Sequence, residues 1–137
     1  MFLYGCNRSA LYGTGEKPGF GEGPYIFDRS GEERVIVAKN DKVWFFDGLC
    51  IGNRDIFVHN DSDSSVTFHR YEPAPHSDSK FGHVYKIENE WFIIQKIDNK
   101  RIKITIDSNK TGTIRRVQFR IMAGNPRETI YIEQKAE

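Results

Sequence analysis

The sequence predicts an all-β fold, a sandwich of short antiparallel strands, and three observations carry that prediction. The first is strict alternation near the C-terminus. Ile102, Ile104 and Ile106 interleave with Lys103, Thr105 and Asp107; Val117, Phe119 and Ile121 interleave with Arg116, Gln118 and Arg120; Ile130 and Ile132 flank Tyr131. A period of two puts each apolar set on one face of a sheet and each polar set on the other. The second is that no segment sustains a period near 3.6, while turn residues recur between short apolar runs, the pattern of a β-sandwich or barrel. The third is composition. Only 38% of residues are hydrophobic, but ten Phe and six Tyr can fill a small core because each buries a large area.

From the N-terminus, Asn7 to Gly23 is polar and Gly-rich and reads as a flexible tether. The expected organisation is therefore residues 1–23 as leader and tether, and residues 24–137 as a single domain. Pro24-Tyr25-Ile26-Phe27 suits an edge strand, where Pro is tolerated. Asp28 to Gly31 reads as a turn and Arg34 to Ala38 as a strand. Val43 to Phe46 is a further strand, and Asp47-Gly48 is a hairpin-type dipeptide expected to end it. Asp55 to His59 and Ser65 to Tyr71 follow as strands, with Val66 and Phe68 sharing a face. Pro73 to Lys80 is a loop, and His83 to Ile87 is another strand. Trp91 to Gln134 is expected to form one antiparallel meander, with Trp91, Ile104, Phe119 and Ile132 on its inner face.

Charge and motifs exclude more than they propose. Twenty basic residues against nineteen acidic ones leave a net charge of +1, with no basic stripe to neutralise phosphates, so nucleic acid is not an expected partner. No run approaches the roughly 18 apolar residues of a membrane span. Gly-x-Ser-x-Gly and His-Glu-x-x-His are absent, so the chain is not expected to be an enzyme. Asp61-x-Asp63-x-Ser65 with Glu72 echoes a calcium loop, but Val66 occupies the position that needs Gly and lies in a strand pattern. The four histidines have no ligand-pair spacing, and no metal or cofactor is expected. Cys6 and Cys50 are too far apart in sequence to suggest a disulfide framework, and Cys50 reads as a small buried hydrophobe.

Two resemblances add to this. Leu3-Tyr4-Gly5-Cys6 resembles the lipobox of bacterial lipoproteins. It implies a precursor that extends upstream with a basic and apolar leader, lipidation of Cys6, and membrane attachment through that anchor alone. Near the C-terminus, Trp91-Phe92, Ile102-x-Ile104-x-Ile106, Asn109-x-Thr111-Gly112-x-x-Arg115, Val117-x-Phe119-x-Ile121 and Ile130-x-Ile132-x-Gln134 together resemble the BACON domain family. The match covers roughly the last third of the chain. It implies an immunoglobulin-like β-sandwich on a bacterial surface or in the periplasm; the chain is expected to be a monomer. It also implies a non-catalytic role in glycan binding, with a structural or protein-interaction role as the alternative. Leu49 to Tyr85 is longer than a short member needs, which implies an inserted hairpin.

The expected binding surface is the loop region carrying Tyr71, His76, Phe81, His83 and Tyr85. Aromatics presented by a rigid sheet can stack on sugar faces or anchor a surface protein. The competing reading is that Tyr71, Phe81 and Tyr85 cap the open end of the sandwich. Their exposure separates the two.

Overall fold

The computed structural model describes residues 15–59, 63–76 and 82–137. Among them lie ten strands and no helix. They are β1 (Tyr25–Phe27), β2 (Glu32–Val37), β3 (Phe45–Ile51), β4 (Arg54–Phe57), β5 (Thr67–Arg70), β6 (Val84–Glu88), β7 (Phe92–Asp98), β8 (Arg101–Ile106), β9 (Arg115–Met122) and β10 (Arg127–Gln134). They form two five-stranded sheets, β1-β10-β9-β3-β4 and β2-β8-β7-β6-β5. We call these the first and second sheets. All pairings are antiparallel except β1 with β10, which is parallel.

The alternation reads directly into the core. Ile102, Ile104 and Ile106 of β8, Val117, Phe119 and Ile121 of β9, and Ile130 and Ile132 of β10 are all buried. Each such side chain contributes roughly 1.5–3 kcal/mol by leaving water. An edge-to-face aromatic chain crosses the interior: Phe20 to Trp44 at 5.8 Å, Trp44 to Phe46 at 5.1 Å, Phe46 to Phe119 at 5.9 Å. The Trp44 indole N–H donates to the Asn99 carbonyl at 2.7 Å, so the ring is buried without an orphaned donor.

Four expectations need correction. The run from Trp91 to Gln134 is not one meander: β7 and β8 lie in the second sheet, β9 and β10 in the first. Period two assigns faces, not partners, and the chain changes sheets across residues 107–114. Trp91 and Ile104 therefore face Phe119 and Ile132 from the opposite layer, although all four are buried as expected.

The expected tether does not reach Gly23. Phe20 is buried, and Glu128 accepts hydrogen bonds from the backbone N–H groups of Gly19 and Phe20 at 2.7 and 2.6 Å. Lys39 N–H donates to the Pro18 and Gly19 carbonyls. One aromatic and one carboxylate thus offset the entropy lost by the glycines.

Asp47-Gly48 is not a turn. β3 runs straight through it with a bulge between Phe46 and Gly48. A Cβ on Gly48 would lie 2.5 Å from Arg120 Nη2 and 2.7 Å from the Ile56 carbonyl oxygen, so Gly is required there by close approach. The β3–β4 hairpin is made instead at Gly52, whose φ is 62°. Lastly, Cys50 is fully buried as expected, but its sulfur is disulfide-bonded rather than a thiol.

The crossover between sheets is latched by residues the sequence singled out. Asn109 is buried, and its Nδ2 donates to the carbonyls of Thr113 and Lys135 at 2.7 and 3.1 Å. Its Oδ1 accepts from Thr111 N–H. Gly112 takes the positive φ of the turn. Arg115 lies over the Trp91 ring at 4.9 Å and donates to the Ser108 carbonyl at 2.8 Å. Gln134, fully buried, donates to the Asp107 carbonyl at 2.7 Å. These three polar side chains hold the crossover in place.

Candidate functional site

The expected surface divides when built up from the strands. β5 is the outer edge of the second sheet, and its register with β6 slips between His69 and Arg70. The slip leaves Tyr85 opposite no residue of β5 and aims it outward. Tyr71 follows directly on β5, and its N–H donates to the His83 carbonyl at 2.9 Å, which extends the pairing by one bond. Gly82 makes this approach possible: a Cβ there would lie 1.6 Å from the Tyr71 carbonyl oxygen.

The result is an aromatic pair. The Tyr71 and Tyr85 rings lie 4.7 Å apart at 37°, and Tyr71 is 55% exposed. Neither is a core cap. His69 adds a third ring, 6.3 Å from Tyr85. Beside the rings is a charged group. Lys86 Nζ lies 3.1 Å from Glu88 Oε1, and His69 Nε2 lies at the same distance from that oxygen, in a direction unsuited to a hydrogen bond. The hydrogen bond from the Lys86 ammonium is the largest effect on the Glu88 carboxyl; burial opposes it, the nearby charges of Lys86 and His69 add to it, and the carboxyl is held below its usual range. Next to Glu88 opens a cleft of about 480 Å³ lined by Arg54, Ser65, Thr67, Asn89 and Trp91.

The other expected residues go elsewhere. His83 is stacked on Phe45 at 3.8 Å with 17° between planes, across the gap from the second sheet to the first. His76 is exposed, with φ of 70°, and no described contact joins it to the tyrosines. Phe81 and Cys6 lie outside the described residues. His69, Lys86 and Glu88 were not expected in the site. Their signal was present, since His69 pairs with Lys86 across β5 and β6 and Glu88 follows on the same face. That reading needs the register, which the bulge conceals.

The calcium reading gains nothing. Asp63 accepts from Ser65 N–H at 3.0 Å and Ser65 Oγ at 2.5 Å, and pairs with Arg54 at 3.3 Å. Among the described residues no three His, Cys, Asp or Glu side chains gather as a metal would need. Two aromatic faces, a carboxylate and an ammonium on a strand edge can stack on and hydrogen-bond a polar ligand. They include no paired nucleophile and base.

No family model and no curated protein matches the chain. Among solved structures it is similar to a protein from Bacteroides thetaiotaomicron determined by NMR, with a TM-score of 0.56 and 16% identity over 95% of this chain and 86% of that one. That similarity extends to the fold: an all-β protein of two packed sheets.

Proposed function

We propose that this is a non-catalytic, monomeric, immunoglobulin-like domain of a bacterial surface or periplasm that binds a glycan at the Tyr71–Tyr85 edge. The observation that carries the reading is the tyrosine pair at a strand edge, with Tyr71 exposed and Tyr85 half-buried beneath it. Sugars present apolar C–H faces that stack on aromatic rings, and hydroxyls that charged groups bind, here Glu88 and Lys86. The strand order supports the finer fold name. β10-β9-β3-β4 with β1 parallel to β10, opposite β2-β8-β7, matches the two sheets of a variable-type immunoglobulin domain. The latching roles of Asn109, Arg115 and Gln134 support the BACON resemblance. The disulfide at Cys50 supports an oxidising compartment outside the cytoplasm.

The test is a glycan array with mucin O-glycans and plant polysaccharides, followed by calorimetry on the strongest hit. Tyr71→Ala and Tyr85→Ala are expected each to weaken binding about tenfold or more, as a lost stacking contact would. Unchanged affinity in both variants overturns the reading. A second reading rests on a different observation: β5 and β2 are open sheet edges, and Val35 and Val37 of β2 are exposed. A protein partner could add a strand there. Pull-down that survives Tyr71→Ala but fails with Val35→Lys would favour it.

A further inference from the structure

The tyrosine edge carries more than its two rings. Lys86 and Glu88 lie two residues apart on β6 and point the same way, out of the second sheet. Their charged atoms are 3.1 Å apart, and His69 Nε2 approaches the same Glu88 oxygen, Oε1. The two side chains stay 28% and 38% exposed, so a ligand can touch both. An ammonium only donates and a carboxylate only accepts. Side by side, they present one donor and one acceptor about a hydrogen-bond length apart. Two hydroxyls on adjacent carbons of a sugar ring offer the complement at nearly that spacing: one accepts from Lys86 while the other donates to Glu88.

Spacing and charge narrow the ligand. Three residues of strand separate Tyr85 from Glu88, roughly 10 Å. One pyranose ring centred on the tyrosines falls short of that, and a second ring joined to it arrives there. His69 occupies the ground between, its ring 6.3 Å from Tyr85 and its Nε2 3.1 Å from Glu88 Oε1, so the two contact points belong to one continuous surface. Lys86 and Glu88 cancel in charge. Arg70, between His69 and Tyr71 in the chain, turns its guanidinium to the carbonyls of Val58 and Gly82. A sugar carboxylate or sulfate at this place would therefore face Glu88 with Lys86 already engaged by it. We infer that this edge takes a neutral oligosaccharide of two or more rings, one stacked on the Tyr71–Tyr85 pair and the next placing two adjacent hydroxyls on Lys86 and Glu88. The inference rests on the glycan reading above and narrows it to a ligand class, a minimum length and a contact.

Calorimetry on the whole chain tests it. The probes are glucose, mannose and galactose, their α- and β-linked di- and trisaccharides, and the same disaccharides with one ring oxidised to a uronic acid. At least one neutral disaccharide should bind about tenfold or more tighter than its monosaccharide, since hydrogen bonds to two charged groups are added. Removing either of two adjacent hydroxyls from one ring, or oxidising that ring, should cancel the gain. Glu88→Gln and Lys86→Met should each lower the disaccharide affinity to that of the monosaccharide, in variants whose thermal melts confirm the fold. The deoxy sugars give the same readout on the wild type, without a substitution. Equal affinity for mono- and disaccharides, deoxy sugars that bind as well as their parents, or tighter binding of the uronic acid probes overturns the inference and leaves a glycan site at the tyrosines standing. No binding by any of these sugars, or binding indifferent to both Tyr71→Ala and Tyr85→Ala, overturns the glycan reading and the inference together.

Discussion

Lys103 and Thr105 on β8 point away from the core and are half-exposed; Gln118 and Arg120 on β9 point away from the core and are almost fully buried. The two strands read alike in sequence, apolar residues alternating with polar ones, and the two outward faces differ completely. In the second sheet that face is solvated, with Lys86 and Glu88 paired at its surface. At the centre of the first sheet, on β3 and β9, it is a closed polar layer. Arg120 Nη2 donates to Asp55 at 2.7 Å, its Nε stands 3.8 Å from Asp47, and its guanidinium lies over Phe57 at 5.4 Å. Alternation says which residues leave the core. Whether they reach water depends on what packs around them, which for Arg120 includes Asp55, Asp47 and Phe57.

The sharpest way to break this comparison is to truncate one residue from each environment. Phe119→Ala, in the core, should cost roughly 3–5 kcal/mol. Arg120→Ala removes one partner of a buried ion pair and should cost roughly 3 kcal/mol or more. Lys103→Ala should stay within about 0.5 kcal/mol. Urea unfolding of the three variants measures all of them. If Arg120→Ala behaves like Lys103→Ala, the outward face of the first sheet is no more closed than that of the second.

Gly48→Ala probes the same layer with a smaller effect. The added methyl meets the Arg120 guanidinium and the Ile56 carbonyl, so β3 or Arg120 must shift. The expected loss is about 1–3 kcal/mol, as for overpacking at a tight site. Gly52→Ala, where nothing lies within 4 Å of the new methyl but φ is 62°, isolates backbone strain from crowding. A larger loss at Gly52 than at Gly48 would assign the glycine requirement of β3 and its hairpin to conformation alone.

This contrast also marks what could be read from the sequence. The all-β class, most strand positions and the core side chains were legible, because period two and turn chemistry are local signals. The sheet to which each strand belongs was not, since β8 and β9 carry the same pattern, and the Asn109 and Gly112 turn between them reads alike whether it closes a hairpin or crosses between sheets. Asp47-Gly48 misled for a related reason: glycine serves turns and close approaches alike, and only the position of Arg120 distinguishes them. In the binding region, Tyr71 and Tyr85 were legible as aromatics beside a loop. His83 was misplaced because its partner, Phe45, comes from the other sheet. The disulfide at Cys50 was unreadable from spacing, which carries no information on tertiary proximity.

Tyrosine truncation is the next smaller effect. Tyr71→Ala should change stability by less than about 1 kcal/mol, since its ring is more than half exposed. Tyr85→Ala should cost somewhat more, because its ring is half-buried against the bulge. Thermal melts decide the matter. If both variants unfold the domain as Phe119→Ala does, the pair belongs to the core, and the solvated face of the second sheet has no platform.

The smallest expected effect concerns charge on that solvated face. Glu88 has its carboxyl pKa depressed in the folded protein, chiefly by the Lys86 hydrogen bond. A depressed folded pKa means that the unfolded chain takes up its proton first as pH falls. The contribution is therefore fully present above the ordinary glutamate value and is lost as pH drops through the folded value. Because the group is exposed, solvent screening keeps it under about 1 kcal/mol. The stability gap between wild type and Glu88→Gln should thus be small at pH 7, shrink towards pH 3, and shrink at pH 7 in 1 M salt, where the screening length falls to about 3 Å. The Arg120–Asp55 pair should resist the same salt, because the face that holds it excludes water. Equal salt sensitivity for Glu88→Gln and Arg120→Ala would mean that ions reach both faces equally, and the difference between the two sheets would then lie in packing rather than in access to solvent.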